Sequence, residues 1–179
     1  MKKINMRTLQ KYIVFFYVYA FLGWVVDVSI CLVSDGVLQN RGFLYETICP
    51  MYGYAAIVLI LLSKKFMGKG GLIKKIVLAT IWCSVLEYLT AFILETLFHL
   101  KWWDYSNEPF NLQGRICLAA SLFWGVLSVI FMKVLHPFVE KTLKKISKKI
   151  PIKVQSVIVY TAVGITAVDT IISIINYIK

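Results

Sequence analysis

Charged residues are scarce in this sequence, and acidic ones most of all. Only 16% of the 179 residues are charged, and 9 are Asp or Glu. A soluble domain carries about 25% charged residues. The shortage excludes an ordinary soluble enzyme and a solvated disordered tail. Histidine is nearly absent, with His99 and His136 alone. Cys31, Cys49, Cys83 and Cys117 contain no C-x-x-C spacing, so no zinc ribbon or redox pair is written in the sequence. There is no serine elbow and no zinc-binding helix motif. The Gly68–Gly71 stretch lacks the G-x-x-x-x-G-K-[ST] spacing of a phosphate loop and reads as a basic turn. No nucleotide-hydrolysing module is encoded, no cofactor or metal is implied, and the chain is expected not to be an enzyme.

What is abundant is apolar. Hydrophobic residues make up 59% of the chain, and mean hydropathy is +0.75. They gather in five stretches, at about 12–33, 45–63, 76–100, 116–137 and 154–178. A helix needs roughly 20 apolar residues to cross a hydrocarbon core of about 30 Å. Four stretches reach that length alone. The second, Cys49 to Ser63, reaches it only by borrowing residues from Gly42 onward. The expectation is an all-α integral membrane protein, a single transmembrane domain of about five helices over residues 1–179. The first stretch reads as a retained span rather than a secretory signal. It is too long for a signal core, contains Asp27, and lacks a small-residue cleavage site.

The formal net charge of +11 admits nucleic acid or membrane flanks as its explanation. Position decides. Four bases precede or open the first stretch: Lys2, Lys3, Arg7 and Lys11. Five lie between the second and third: Lys64, Lys65, Lys69, Lys74 and Lys75. Seven fall between Lys133 and Lys153. Sixteen of the twenty therefore share one side of a five-span arrangement. Only Arg41, Lys101, Arg115 and Lys179 lie on the other. By the positive-inside rule the N-terminus is cytoplasmic and the C-terminus outside. Nucleic acid is not the expected partner.

Between Pro137 and Pro151 the sequence turns amphipathic. Val139, Leu143, Ile146 and Ile150 recur at helical spacing, and five lysines occupy the other faces. The reading is an interfacial helix at about 138–150, lying on anionic lipid or docking a partner chain.

Four carboxylates interrupt the apolar stretches: Asp27, Glu87, Glu95 and Asp169. Such residues are costly in a bilayer and by default face the bundle interior. Counting about 1.5 Å per residue from the inner ends of the stretches, Asp27 and Asp169 both fall roughly 22 Å up. Thr166, Asp169, Ser173 and Asn176 form one polar stripe that should face protein or water. Between the third and fourth stretches, Trp102, Trp103 and Tyr105 suit an interfacial aromatic belt. The belt leaves Asp104 and Arg115 unexplained. Two readings stay open. Arg41 and Arg115 neutralise carboxylates and hold helices together, or the charges line a polar chamber in the outer half of the membrane.

Several motifs resemble the bacterial membrane family called ABC-transporter type IV, or CmpB-type. They are AsnArgGlyPheLeu at 40–44, CysProMetTyrGly at 49–53 and GlyTrpValValAsp at 23–27. A second block joins Glu87, Tyr88, Glu95, TrpTrpAspTyrSer at 102–106, Asn111 and GlyArgIleCysLeu at 114–118. The resemblance covers roughly residues 15–135. The family usually has Glu where Asp27 stands, and Gly-Pro where Glu46 and Thr47 stand. The resemblance implies a transporter or permease subunit, with a separate ATPase or membrane chain as partner, or self-association. On the transporter reading, the in-span and outer charges Asp27, Arg41, Glu87, Glu95, Asp104 and Arg115 would form a site in the outer half of the membrane, with Asp169 lining it. Trp24, Asn40, Tyr52, Trp102, Trp103, Tyr105 and Asn111 would support them. The alternative is an accessory or scaffold protein whose buried charges are structural.

Overall fold

A computed structural model describes residues 6–36, 43–66, 71–99 and 101–178. Asn40, Arg41 and most of the basic turn at Gly68–Gly71 lie outside the described residues. The described chain is helical with irregular connections. The helices are α1 (Met6–Asp35), α2 (Pro50–Phe66), α3 (Leu72–Phe98), α4 (Leu118–Ile130), α5 (His136–Ser147) and α6 (Ile152–Ile178). A single π turn, Phe131–Leu135, joins α4 to α5.

Four stretches are long and apolar enough to cross a membrane: Arg7–Val33, Leu72–Phe98, Leu118–Ser147 and Ile152–Ile178. Pro50–Ser63 is a shorter apolar helix. Only 17–28% of each long stretch is buried within the protein. Side chains such as Val25, Ile30, Ile93, Ile165 and Ile171 lie open along the helices. No water-soluble protein leaves apolar surface of that extent uncovered. This is a multi-pass membrane protein, and the apolar flanks are its lipid-facing surface.

The amphipathic helix expected at 138–150 is not a separate element. It continues the fourth long helix, and the junction is the π turn. The cause is Pro137, which has no N–H and whose ring crowds the carbonyl four residues back. The chain widens by one residue just before it, so that the His136 N–H bonds to the Phe131 carbonyl five residues earlier. The apolar stripe is only partly free, with Val139 buried and Leu143 half-buried. Lys141, Lys144, Lys145, Lys148 and Lys149 are exposed. After α5, Gln155 Nε2 donates to the carbonyls of Ser147 and Ile150, each at 2.7 Å. That satisfies carbonyls a terminating helix leaves bare.

The chain divides into two compact units. The first holds residues 1–57 and 144–179, so α1, the start of α2 and α6. Within it α1 and α6 run parallel. Gln10 Nε2 donates to Ser156 Oγ at 2.9 Å, and Tyr17 Oη to Thr166 Oγ1 at 3.0 Å. The start of α2 crosses α1 in the opposite sense. A Cβ on Gly23 would run into the Tyr52 ring, and one on Gly53 would fall 2.6 Å from the Phe16 ring. Each helix thus offers a glycine to the other's aromatic ring, the small-residue packing that brings helix axes close in a membrane.

The second unit holds residues 58–143. Leu59, Ala79 and Val129 form its apolar centre, with Ile76, Cys83, Phe131 and Met132 around them. Along the α3–α4 seam, Thr80 sits where any side chain on Gly125 would be. All four cysteines are free thiols.

Candidate functional site

The first unit contains a stretch of non-helical chain at membrane depth. Residues 43–49 precede α2 and form no helix. The Cys49 N–H bonds to the carbonyl of Ala20 at 3.0 Å. Ala20 lies 13 residues into the Arg7–Val33 span, about 20 Å from its start and near its middle. Leu44 and Ile48 are buried against Ala20, with Tyr17 and Phe43 packed beside them. The chain therefore returns to mid-depth before α2 begins. Pro50 opens that helix, a position where a missing N–H costs nothing.

Backbone at this depth needs donors and acceptors from protein, because lipid supplies none. Asp169 supplies two acceptors. Its Oδ1 accepts from the Tyr45 N–H at 3.2 Å and its Oδ2 from the Glu46 N–H at 2.8 Å. The Ser173 hydroxyl donates to the same Oδ1 at 3.3 Å. Glu46 Oε2 accepts from the Thr166 hydroxyl at 2.8 Å, and Thr166 in turn accepts from Tyr17. Asn176 Nδ2 donates to Tyr45 Oη at 3.0 Å. All four members of the polar stripe on α6 are thus spent on segment 43–49 or on one another. Asp27 lies one helical step above Gly23 and accepts from the Tyr52 hydroxyl at 2.6 Å.

The register of α1 against α6 corrects the expected depths. The Tyr17–Thr166 pair puts Asp169 level with Ala20. Asp27 stands seven residues further along α1, about 10 Å away along the axis. Equal depths followed from the ends of apolar runs. The actual register follows from side-chain pairs, which no run length reports.

Glu87, Glu95, Asp104 and Arg115 belong to the second unit. Arg115 Nε and Nη2 both bond to Glu95 Oε2, at 2.9 and 2.7 Å. Its guanidinium also lies over the rings of Tyr88 and Phe92, each 5.4 Å from the centroid, and touches Gln113 Oε1. The Glu95 carboxylate beside it pushes the Arg115 guanidinium above its ordinary range. This pair anchors the 101–117 connection to α3. Trp103 Nε1 donates to the Arg115 carbonyl at 2.9 Å, and the Tyr105 N–H bonds to the Gly114 carbonyl at 2.8 Å. Asn111 bonds the carbonyls of Ser106 and Glu108 and accepts from the Gly114 N–H. Gly114 itself has φ +69°, with Ser106 and Asp104 packed where a Cβ would stand. The aromatics of this loop do more than mark an interface. They fold it, and Tyr105 reaches back to Glu87 Oε1 at 3.1 Å.

Asp104 stays at the surface. It pairs with Lys101 at 2.9 Å and accepts from the Ser106 N–H at 2.9 Å. The Ser106 side chain, then Lys101, holds its carboxyl down at about 2, below the usual 3.8. Of the other supporting residues, Trp24 stacks on Phe21 and Trp102 meets Phe98 edge to face. The space beside Ala91 is a narrow cleft lined by Leu94, Glu95, Trp102 and Trp103.

Six of the seven expected site residues fall into two groups, and the seventh, Arg41, lies outside the described residues. Asp27 and Asp169 share the first unit, and Glu87, Glu95, Asp104 and Arg115 the second. Glu46, Thr166 and Tyr17 join the first group without having been expected as site residues. The signal for Glu46 was a carboxylate standing where the resembled family has glycine or proline.

Residues 14–174 match the model of the family described as "Putative ABC-transporter type IV". The match spans most of the chain, and the protein belongs to that family. No curated protein and no solved structure matches it.

Proposed function

From its place in that family, we propose that the chain is a membrane transporter or permease subunit whose polar site is the broken second crossing. The observation that carries this reading is segment 43–49, non-helical at the depth of Ala20 and closed by Asp169. Transporters place substrate and ion sites near mid-membrane, where a discontinuous helix ends and irregular backbone lines a cavity. Here the N-terminus of α2, Asp27 with Tyr52, and Glu46 with Thr166 belong to one such break. Asp27, Glu46 and Asp169 give it acidic character, suited to a cationic substrate or coupling ion. No catalytic role is assigned.

Five crossings support the same picture. Parallel α1 and α6 require an odd number of crossings between them, so the 43–66 segment counts as one alongside α3 and α4. The 17 residues of α2 span about 25 Å, ample for the half of the membrane below Ala20. The bases agree. With five crossings, sixteen of twenty lie on one side. Were α2 not to cross, seven would lie on that side and thirteen on the other. The orientation is N-terminus inside, with the α5 lysines against anionic lipid of the inner leaflet.

The experiment is purification from native membrane followed by reconstitution in liposomes. A co-purifying ATPase, or cation flux that Asp27→Asn abolishes while the protein stays folded, supports the proposal. Absence of both overturns it.

A second reading is favoured by the bonds of Asp169 and of Glu95 with Arg115, all satisfied within the protein. On that reading the chain is an accessory or scaffold. Asp27→Asn would then lower the yield of folded protein and leave any flux unchanged.

A further inference from the structure

Among the described residues, Glu87 is the one in-span carboxylate with a buried oxygen that accepts no hydrogen bond. It is 8% exposed, on the face of α3 that meets α4. Tyr105 donates to Oε1. Oε2 is buried and receives no hydrogen bond. The Trp124 indole of α4 also interacts with the carboxyl, and Oε2 still accepts no hydrogen bond. Seven residues earlier on the same face, Thr80 Oγ1 is a second buried oxygen without a partner. Between them Cys83 and Ser128 bond to each other at 3.1 Å.

Among the described residues, the groups that face Glu87 offer no compensating charge. Its own helix brings the Cys83 thiol, the loop brings the Tyr105 phenol, and α4 brings Trp124, which does not titrate. The nearby cation, Arg115, is committed to Glu95. An ionised carboxylate here would keep a charge in apolar surroundings with one oxygen bare, the costliest state a buried acid can take. One proton on Oε2 removes the charge.

We propose that Glu87 is a proton-binding site, holding a proton at neutral pH with Tyr105 as its positioning residue. The reaction is simple protonation: the carboxylate takes H⁺ from water at the loop end of α3 and becomes the neutral acid. Release restores a charge that only added donors could stabilise, so the proton is linked to the packing of the 101–117 loop. This site stands on the geometry of the second unit alone. It holds whether or not the broken crossing carries a substrate.

The test is solid-state NMR of the full chain in lipid bilayers, labelled with ¹³C at glutamate side-chain carboxyls. The sequence has five glutamates: 46, 87, 95, 108 and 140. At neutral pH a protonated carboxyl signal is expected, and Glu87→Gln should delete it. Tyr105→Phe removes a donor that favours the ionised form. It should keep the signal and move its titration upward by roughly one pH unit. Five ionised signals at neutral pH would overturn the proposal. So would a protonated signal that survives Glu87→Gln. If that variant does not fold, the Tyr105→Phe shift decides. A protonated signal that fails to move, or moves downward, also overturns it.

Discussion

Asp169 and Glu87 are equally buried, each 8% exposed, yet their surroundings differ. Asp169 receives two backbone N–H groups and a serine hydroxyl. Glu87 receives the Tyr105 phenol on Oε1 and no donor on Oε2. The first is an acceptor that closes irregular backbone, and the second is a carboxyl with an unfilled bonding position. Burial alone would assign both the same role. The count of donors separates a carboxylate that holds the fold from one that is free to exchange a proton.

The largest effect should come from Asp169. Replacing it with Leu leaves the Tyr45 and Glu46 N–H groups without acceptors inside the membrane. Each orphaned donor costs about 1–3 kcal/mol, so unfolding in detergent should show a loss of roughly 2–6 kcal/mol. If Asp169→Leu unfolds like wild type, Asp169 does not close the segment. Next comes the crossing of α1 and α2. Gly23→Ala puts a methyl into the Tyr52 ring, and overpacking of this kind costs about 1–3 kcal/mol. Gly164→Ala on α6 meets no atom and serves as the control.

Two smaller effects belong to the loop of the second unit. Arg115→Met should raise amide exchange across residues 103–116 and leave that of α1 and α6 unchanged. Equal rises everywhere would mean that Arg115 supports more than its loop. The weakest effect is a pH dependence. The Asp104 carboxyl is depressed from 3.8 to about 2, so its contribution is complete above 3.8 and vanishes as pH falls through about 2. Exchange at the Ser106 amide should rise over that window in wild type, and Asp104→Asn should abolish the step.

Much of the architecture was legible because apolar run length is a direct physical requirement of a bilayer. The polar stripe of α6 was legible for a related reason, since a one-sided polar face must meet protein. The 43–66 segment was half legible. Its 15-residue run, Cys49 to Ser63, was too short alone, and residues from Gly42 onward were expected to complete it. That these residues are not helical was hidden, because their acceptor lies on Asp169, more than 120 positions away. The depth of Asp169 was misjudged for the same reason. Glu95 and Arg115 were visible as charges, but their pairing needed the loop to fold back on α3. The roles of Trp103 and Tyr105 were masked by a sufficient bland explanation, the aromatic belt. Pro137 was expected to bound a helix, and the π turn lets the helix continue through it.

The central claim is that the 43–66 segment crosses the membrane although only its latter part is helical. Reporters fused to the two ends of the chain test it most directly. Five crossings place the N-terminal reporter in the cytoplasm and the C-terminal one outside. Both reporters on the same side would contradict the account.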